Sequence, residues 1–112
     1  MERIITIGGT PVPMKATAST LTRYRNQYGR DLIEDFQKVQ QATAGAITSE
    51  AIDIFVRLCH VMARQADPTI EPDPFDWADR FDVFPIREIL LPVVDLWAES
   101  MGGVVEEAEK KE

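Results

Sequence analysis

Residues 48–66, TSEAIDIFVRLCHVMARQA, place apolar side chains at Ile52, Phe55, Val56, Cys59, Met62, Ala63 and Ala66. Steps of three and four put all seven on one face of an α-helix. A helix with one apolar face is stable in water only when another element covers that face. Thr48 or Ser49 is placed to cap its start, and Asp67-Pro68 stops it. The rest of the chain must therefore supply a layer that packs on this helix.

The flanking segments supply candidates. ERIITI (2–7) is short and β-branched and reads as a strand. Gly8-Gly9 suits a tight hairpin turn, with VPMKA (12–16) as the return strand. Pro11 and Pro13 each lack a ladder donor, so that strand belongs at an edge. Ser19 is placed as the N-cap of a first helix carrying Leu21, Tyr24 and Tyr28, and Gly29 ends it. Asp31 and Glu34 open a second helix whose apolar face is Leu32, Ile33, Phe36 and Val39. QATAGA (41–46) reads as a loop.

After the long helix, DPTIEPDP (67–74) is rich in proline and acid and reads as an acidic loop. Asp73 caps a short helix with Pro74 at its first position. Phe75, Ala78 and Phe81 are its expected inner residues. The last helical stretch carries Ile86, Ile89, Leu90, Val93, Leu96 and Trp97. Its apolar phase runs through Pro92 without a slip. Either one kinked helix or two short ones sharing a face is expected. Gly102-Gly103 ends it, and residues 102–112 read as a mobile charged tail. The fold class is mainly α with a small N-terminal β-hairpin, about five helices in a single domain. The hairpin occupies 1–17 and the helices 19–101.

A chain of 112 residues is one domain by size and can bury roughly 65% of its unfolded surface. The net charge is −7 and is unevenly placed. Residues 1–30 carry +4, residues 31–66 carry −2, and residues 67–112 carry −9. A negative chain repels nucleic acid as a whole. The basic N-terminal part is expected to face acid, either in this chain's own C-terminal half or in that of a neighbouring copy. No window approaches the roughly 20 apolar residues that span a bilayer. Residues 1–16 lack the pattern of a secretory signal. The expectation is a cytoplasmic protein, soluble and without a membrane partner.

Enzymatic chemistry has little material. The single cysteine and single histidine, Cys59 and His60, are adjacent. Neighbours on a helix point roughly 100° apart, which argues against a thiolate–imidazole pair. Cys59 lies on the apolar stripe and reads as a buried structural thiol. His60 reads as a surface or helix-edge residue. Asp73, Asp76, Asp79 and Asp82 recur every three residues but lack the glycine and closing glutamate of a calcium loop. They read as a solvated acidic face or a patch for a basic partner. Gly8-Gly9-Thr10 lacks the length and the lysine of a phosphate loop. No catalytic, metal or cofactor-binding set is expected.

TLTRYRNQYGRDLIEDF (20–36) puts three arginines, two tyrosines and a glycine into one corner. A DNA-reading helix-turn-helix needs basic residues along its second helix. Here that helix opens with Asp31, Glu34 and Asp35, which suit the helix dipole and repel phosphate. The alternative is a packed corner. Tyr24 and Tyr28 bring apolar bodies with polar tips. Arg23, Arg25 and Arg30 can pair with carboxylates, bidentately where geometry allows.

The corner also carries a resemblance. KATASTLTRYRNQYGRDLIEDFQKV (15–39), following a strand pair, resembles the tail assembly chaperones of long-tailed phages and prophages of Gram-positive bacteria. VMARQADP (61–68), DPFDWADRFDVF (73–84) and LPVVDLWAESM (91–101) extend the likeness to about nine-tenths of the chain. The corner and PVVDLW are its specific parts. The resemblance implies a non-enzymatic protein without cofactors, working in the host bacterial cytoplasm and absent from the mature virion. It implies that the tape measure protein is a client kept soluble, and that tail tube subunits are recruited around it. Self-association into a repeating array, head to tail, suits the opposed charge of the two halves. Arg23, Tyr24, Arg25, Tyr28, Arg30 and Trp97 are the expected partner-binding residues. Such proteins are often made in two lengths by ribosomal frameshifting, and Lys110-Lys111 is where a slippery codon run is expected. The alternative function is a small DNA-binding helix-turn-helix regulator. A small enzyme subunit is disfavoured by the missing catalytic sets.

Overall fold

A computed structural model describes residues 1–44 and 47–101. An antiparallel hairpin, β1 (Glu2–Ile7) and β2 (Thr10–Lys15), opens the chain. Five helices follow: α1 (Thr20–Tyr28), α2 (Leu32–Ala44), α3 (Ser49–Ala66), α4 (Pro74–Ala78) and α5 (Ile86–Ser100). The α+β class with an N-terminal hairpin and five helices is as the sequence predicts.

The hairpin follows from its turn. Gly8 and Gly9 both have positive φ, 55° and 87°, as a two-residue type I′ connection requires. Gly8 has a second constraint: a Cβ there would lie 2.6 Å from the Val83 carbonyl oxygen. The pleat puts Ile5, Ile7, Val12 and Met14 on the buried face. Met1 and Ala16 exchange backbone hydrogen bonds of 2.8 and 2.9 Å, so bonded pairs alternate from there to Ile7 and Thr10. Pro11 and Pro13 fall at the other positions, where no ladder donor is needed. A lone hairpin is marginal in water. Here β2 lies on α3 and β1 on α5, which covers its apolar face.

α3 is the axis of the molecule. It touches β2 and the other four helices. Thr48 caps it by accepting from Ala51 N at 3.1 Å. Between Ile54 and Ala63 it is buried nearly all round, with Arg57 the one residue not buried. The stripe of the sequence is thus too narrow a description, because a central helix is covered on several sides. Ile52, predicted inside, is 37% exposed. Cys59 points into the core, and burial pushes its thiol pKa up.

Other boundaries depart from the sequence reading. QATAGA does not form a loop throughout: α2 runs on to Ala44, since alanine and glutamine favour helix. Ser19 stands at the N-cap of α1 without a capping bond. Thr20 Oγ1 instead accepts from Thr17 N at 2.9 Å. α5 is one helix with Pro92 inside it. α4 starts as predicted, with Asp73 Oδ1 accepting from Phe75 N and Asp76 N at 2.8 and 3.1 Å. Its inward residue is Trp77, not Phe75. Trp77 is buried edge-on against Phe81 at 5.2 Å, while Phe75 is exposed under the Arg57 guanidinium. Gly102-Gly103, the charged tail and Lys110-Lys111 lie outside the described residues.

Candidate functional site

The corner between α1 and α2 is built around one carboxylate. Gly29 closes α1 in the left-handed conformation (φ 68°), its N–H donating to Arg25 O at 2.8 Å. Asp31 then opens α2, its Oδ1 accepting from Ile33 N at 2.9 Å and Glu34 N at 3.3 Å. One turn further on, Asp35 points inward and is buried. Arg30 grips it bidentately, Nε to Oδ2 at 2.7 Å and Nη2 to Oδ1 at 2.8 Å. Tyr24 OH donates to the same Oδ2 at 2.8 Å.

These bonds set the charges. Burial acts to raise the Asp35 pKa, but the hydrogen bonds from Arg30 and Tyr24 outweigh it and hold the pKa below its usual value. Burial and the neighbouring Asp35 carboxylate push Tyr24 up, so its hydroxyl stays a donor. The carboxylate bond pushes Arg30 up in turn. A buried carboxylate with three donors is satisfied and costs the fold little.

Tyr28 continues the network toward α3. Its ring meets Tyr24 edge-on at 4.8 Å, and its hydroxyl bonds His60 Nδ1. His60 Nε2 lies 2.7 Å from the Glu71 carbonyl oxygen. A carbonyl only accepts, so Nε2 carries the proton and Nδ1 accepts from Tyr28. Gln27 Nε2 donates to Pro72 O at 2.8 Å beside it. Together they fasten the acidic loop to α1 and α3. His60 is therefore not a surface residue, as its sequence position suggested, but fully buried. No periodicity marks it. Its place is fixed by the loop that folds over it.

Burial, helped by the nearby charge of Arg64, holds the His60 pKa below its ordinary 6.5. As pH falls through about 6.5 the unfolded chain takes up a proton that the folded chain refuses. Stability is thus expected to fall as pH drops below about 6.5, by up to about 1.4 kcal/mol per unit. His60 is the only histidine, so urea titrations at stepped pH report it directly. His60→Gln should flatten that slope.

The six residues expected to meet a partner divide. Tyr24 and Trp97 are buried, and Tyr28 is half-buried. Trp97 lies against Phe36 at 4.3 Å, and its Nε1 has no hydrogen-bond partner among the described residues. Arg30 is committed to Asp35. Arg23 and Arg25 are exposed, and neither is in an ion pair among the described residues. They stand on different sides of α1. Arg25 lines a groove of about 250 Å³ at the corner itself, with Leu21, Thr22, Asp31, Leu32 and Ile33. Arg23, held by Ser19 Oγ at 3.0 Å, lines a second groove between α1 and α3.

No protein-family model, curated protein or solved structure matches this chain.

Sequence reasoning missed Ile33 as a surface residue. It was expected on the apolar face of α2, but it is 49% exposed on the rim of the corner groove. It follows Leu32 by one position, about 100° around the helix, and only the packing of α1 decides which of the two is covered. Among the described residues, the expected meeting of the basic N-terminal part with the acidic C-terminal half occurs as one ion pair. Arg3 reaches across to α5, bonding Glu99 Oε1 at 3.2 Å and Pro92 O at 3.4 Å. Among the described residues no cluster of His, Cys, Asp and Glu is placed to hold a metal ion. No helix among the described residues is long and apolar enough to cross a membrane.

Proposed function

We propose that this chain is a phage tail assembly chaperone that binds the tape measure protein, keeps it soluble and helps recruit tail tube subunits. The observation that carries the proposal is the resemblance of the Arg–Tyr corner and of the PVVDLW segment to that family. The geometry of the corner supports it. Arg30 and Asp35 lock the turn, and the locked turn presents Arg25, Leu21 and Ile33 along a shallow groove. An aliphatic rim beside a guanidinium that has no ion pair among the described residues suits an amphipathic helix carrying an acidic residue, the kind of segment a long helical client offers.

The test is co-expression with the tape measure protein of the same tail gene cluster. The client is expected to become soluble and to co-purify. Arg25→Glu and Ile33→Ser sit at exposed positions and should leave thermal unfolding nearly unchanged. Each is expected to weaken client capture about tenfold, as loss of a central contact does. Full capture by both variants would remove the corner from the client surface. A client that stays insoluble and unbound would sink the chaperone reading. The alternative, a helix-turn-helix regulator, requires salt-dependent retention on duplex DNA. The acidic opening of α2 disfavours it.

A further inference from the structure

The second groove raises a separate question. It holds about 260 Å³ between α1 and α3 and is lined by Arg23, Gln27, Val61, Arg64, Gln65 and Pro68. Both charged liners are cations, and no carboxylate among the described residues lines it. Neither arginine forms an ion pair among the described residues. Arg64 Nε is buried and has no acceptor among the described residues. Arg64 as a whole is only partly buried, so the rest of its guanidinium can take an incoming carboxylate. The Gln27 and Gln65 side chains are already tied to Pro72 O at 2.8 Å and to Thr17 and Thr20 at 2.7 Å, so the walls are held in place.

The chain itself carries the complement. Asp76, Asp79 and Asp82 are exposed, and none of them pairs with a cation among the described residues. Other acids of the region are already used. Asp73 caps α4, Asp67 holds Thr69, and Glu71 pairs with Arg80. None of the three free aspartates lines the groove of its own chain. The unpaired cations and the unpaired anions are thus on separate surfaces of one molecule.

We propose that the α1–α3 groove binds the Asp76–Asp79–Asp82 edge of a second copy of this chain. Arg23 and Arg64 take the carboxylates. The same pairing closes a two-fold dimer if both contacts form at once, and builds an open array if they do not. The contact uses Arg23 and Arg64 rather than Arg25 and Ile33, so it stands apart from client binding.

Charge exchange on the full chain tests this. Arg23→Glu with Arg64→Glu makes the groove acidic. Asp76→Arg with Asp79→Arg and Asp82→Arg makes the edge basic. Wild-type protein is expected to self-associate at low salt by sedimentation equilibrium, and to dissociate as sodium chloride rises. Each multiple variant alone should lose association at least tenfold, because its two surfaces now repel. An equimolar mixture of the two should regain it, since both contacts in the mixture join opposite charges. Circular dichroism checks that each variant is folded. Arg23→Gln with Arg64→Gln gives a milder version, expected to weaken association without repulsion. A wild-type monomer at all concentrations and low salt overturns the proposal. So does a mixture no more associated than its components, or a monomer retained on duplex DNA through the same two arginines.

Discussion

Replacing Asp35 with alanine is expected to destabilise the protein by about 3 kcal/mol. The carboxylate is buried and accepts from Arg30 twice and from Tyr24 once. Without it, the Tyr24 hydroxyl is left in the core with no acceptor, and the turn loses its clamp. Arg30→Ala leaves the buried carboxylate without its counter-charge and should cost about as much, offset where water enters the space of a side chain that is 36% exposed. Tyr24→Phe removes one donor and should cost about 1 kcal/mol. The three are coupled through one carboxylate, so their effects will not add.

The pH dependence of this site has a fixed sign. The folded Asp35 pKa is depressed below 3.8. Its contribution is therefore complete above that value and is lost as pH falls through it toward the folded pKa. The acid limb of wild-type stability should be steeper than that of Asp35→Ala below about pH 4. Urea midpoints measured from pH 7 to pH 3, on wild type and on His60→Gln, separate this step from the His60 step that begins near pH 6.5. Equal acid limbs in the two proteins would mean that the carboxylate is not held ionised by the corner.

Trp97→Ala is expected to cost about 3–5 kcal/mol, a large part of the 5–15 kcal/mol of a typical domain. The ring is 1% exposed and packs on Phe36. Truncation leaves a cavity between α2 and α5 that neither helix can close without moving. Trp97→Phe should cost much less, since the indole Nε1 has no partner to lose. This pair also tests the role that the sequence suggested for Trp97. As a core residue it should affect client capture only in proportion to lost folding, and Trp97→Phe should capture normally. If Trp97→Ala kept its urea midpoint yet lost the client, the indole would be a contact surface instead.

Long, regular signals were legible from the residues. The 3.6 period of α3, the Thr48 cap, the Asp73-Pro74 start of α4 and the Gly29 stop each rest on a local preference of the backbone. The two glycines and two prolines of the hairpin did the same for β1 and β2. At the site, the pairing of arginines with carboxylates was legible as chemistry, but not which arginine would pair. Arg30 pairs because Gly29 turns the chain so that Asp35, one turn into α2, faces back toward it. Arg23 and Arg25 lie earlier on α1, and neither forms an ion pair among the described residues.

Local preference fixed the element types and most of the ends, because caps, glycines, prolines and apolar spacing act within a few residues. It could not rank the apolar faces against each other. Phe75 and Trp77, Leu32 and Ile33, and Ile52 and Ile54 are neighbouring apolar residues that obey helical spacing about equally well. The tertiary structure chose Trp77, Leu32 and Ile54 for the core, and it buried His60 by folding the acidic loop over it. Burial depends on which other segment arrives on each face, and that is a property of the whole chain rather than of any stretch within it.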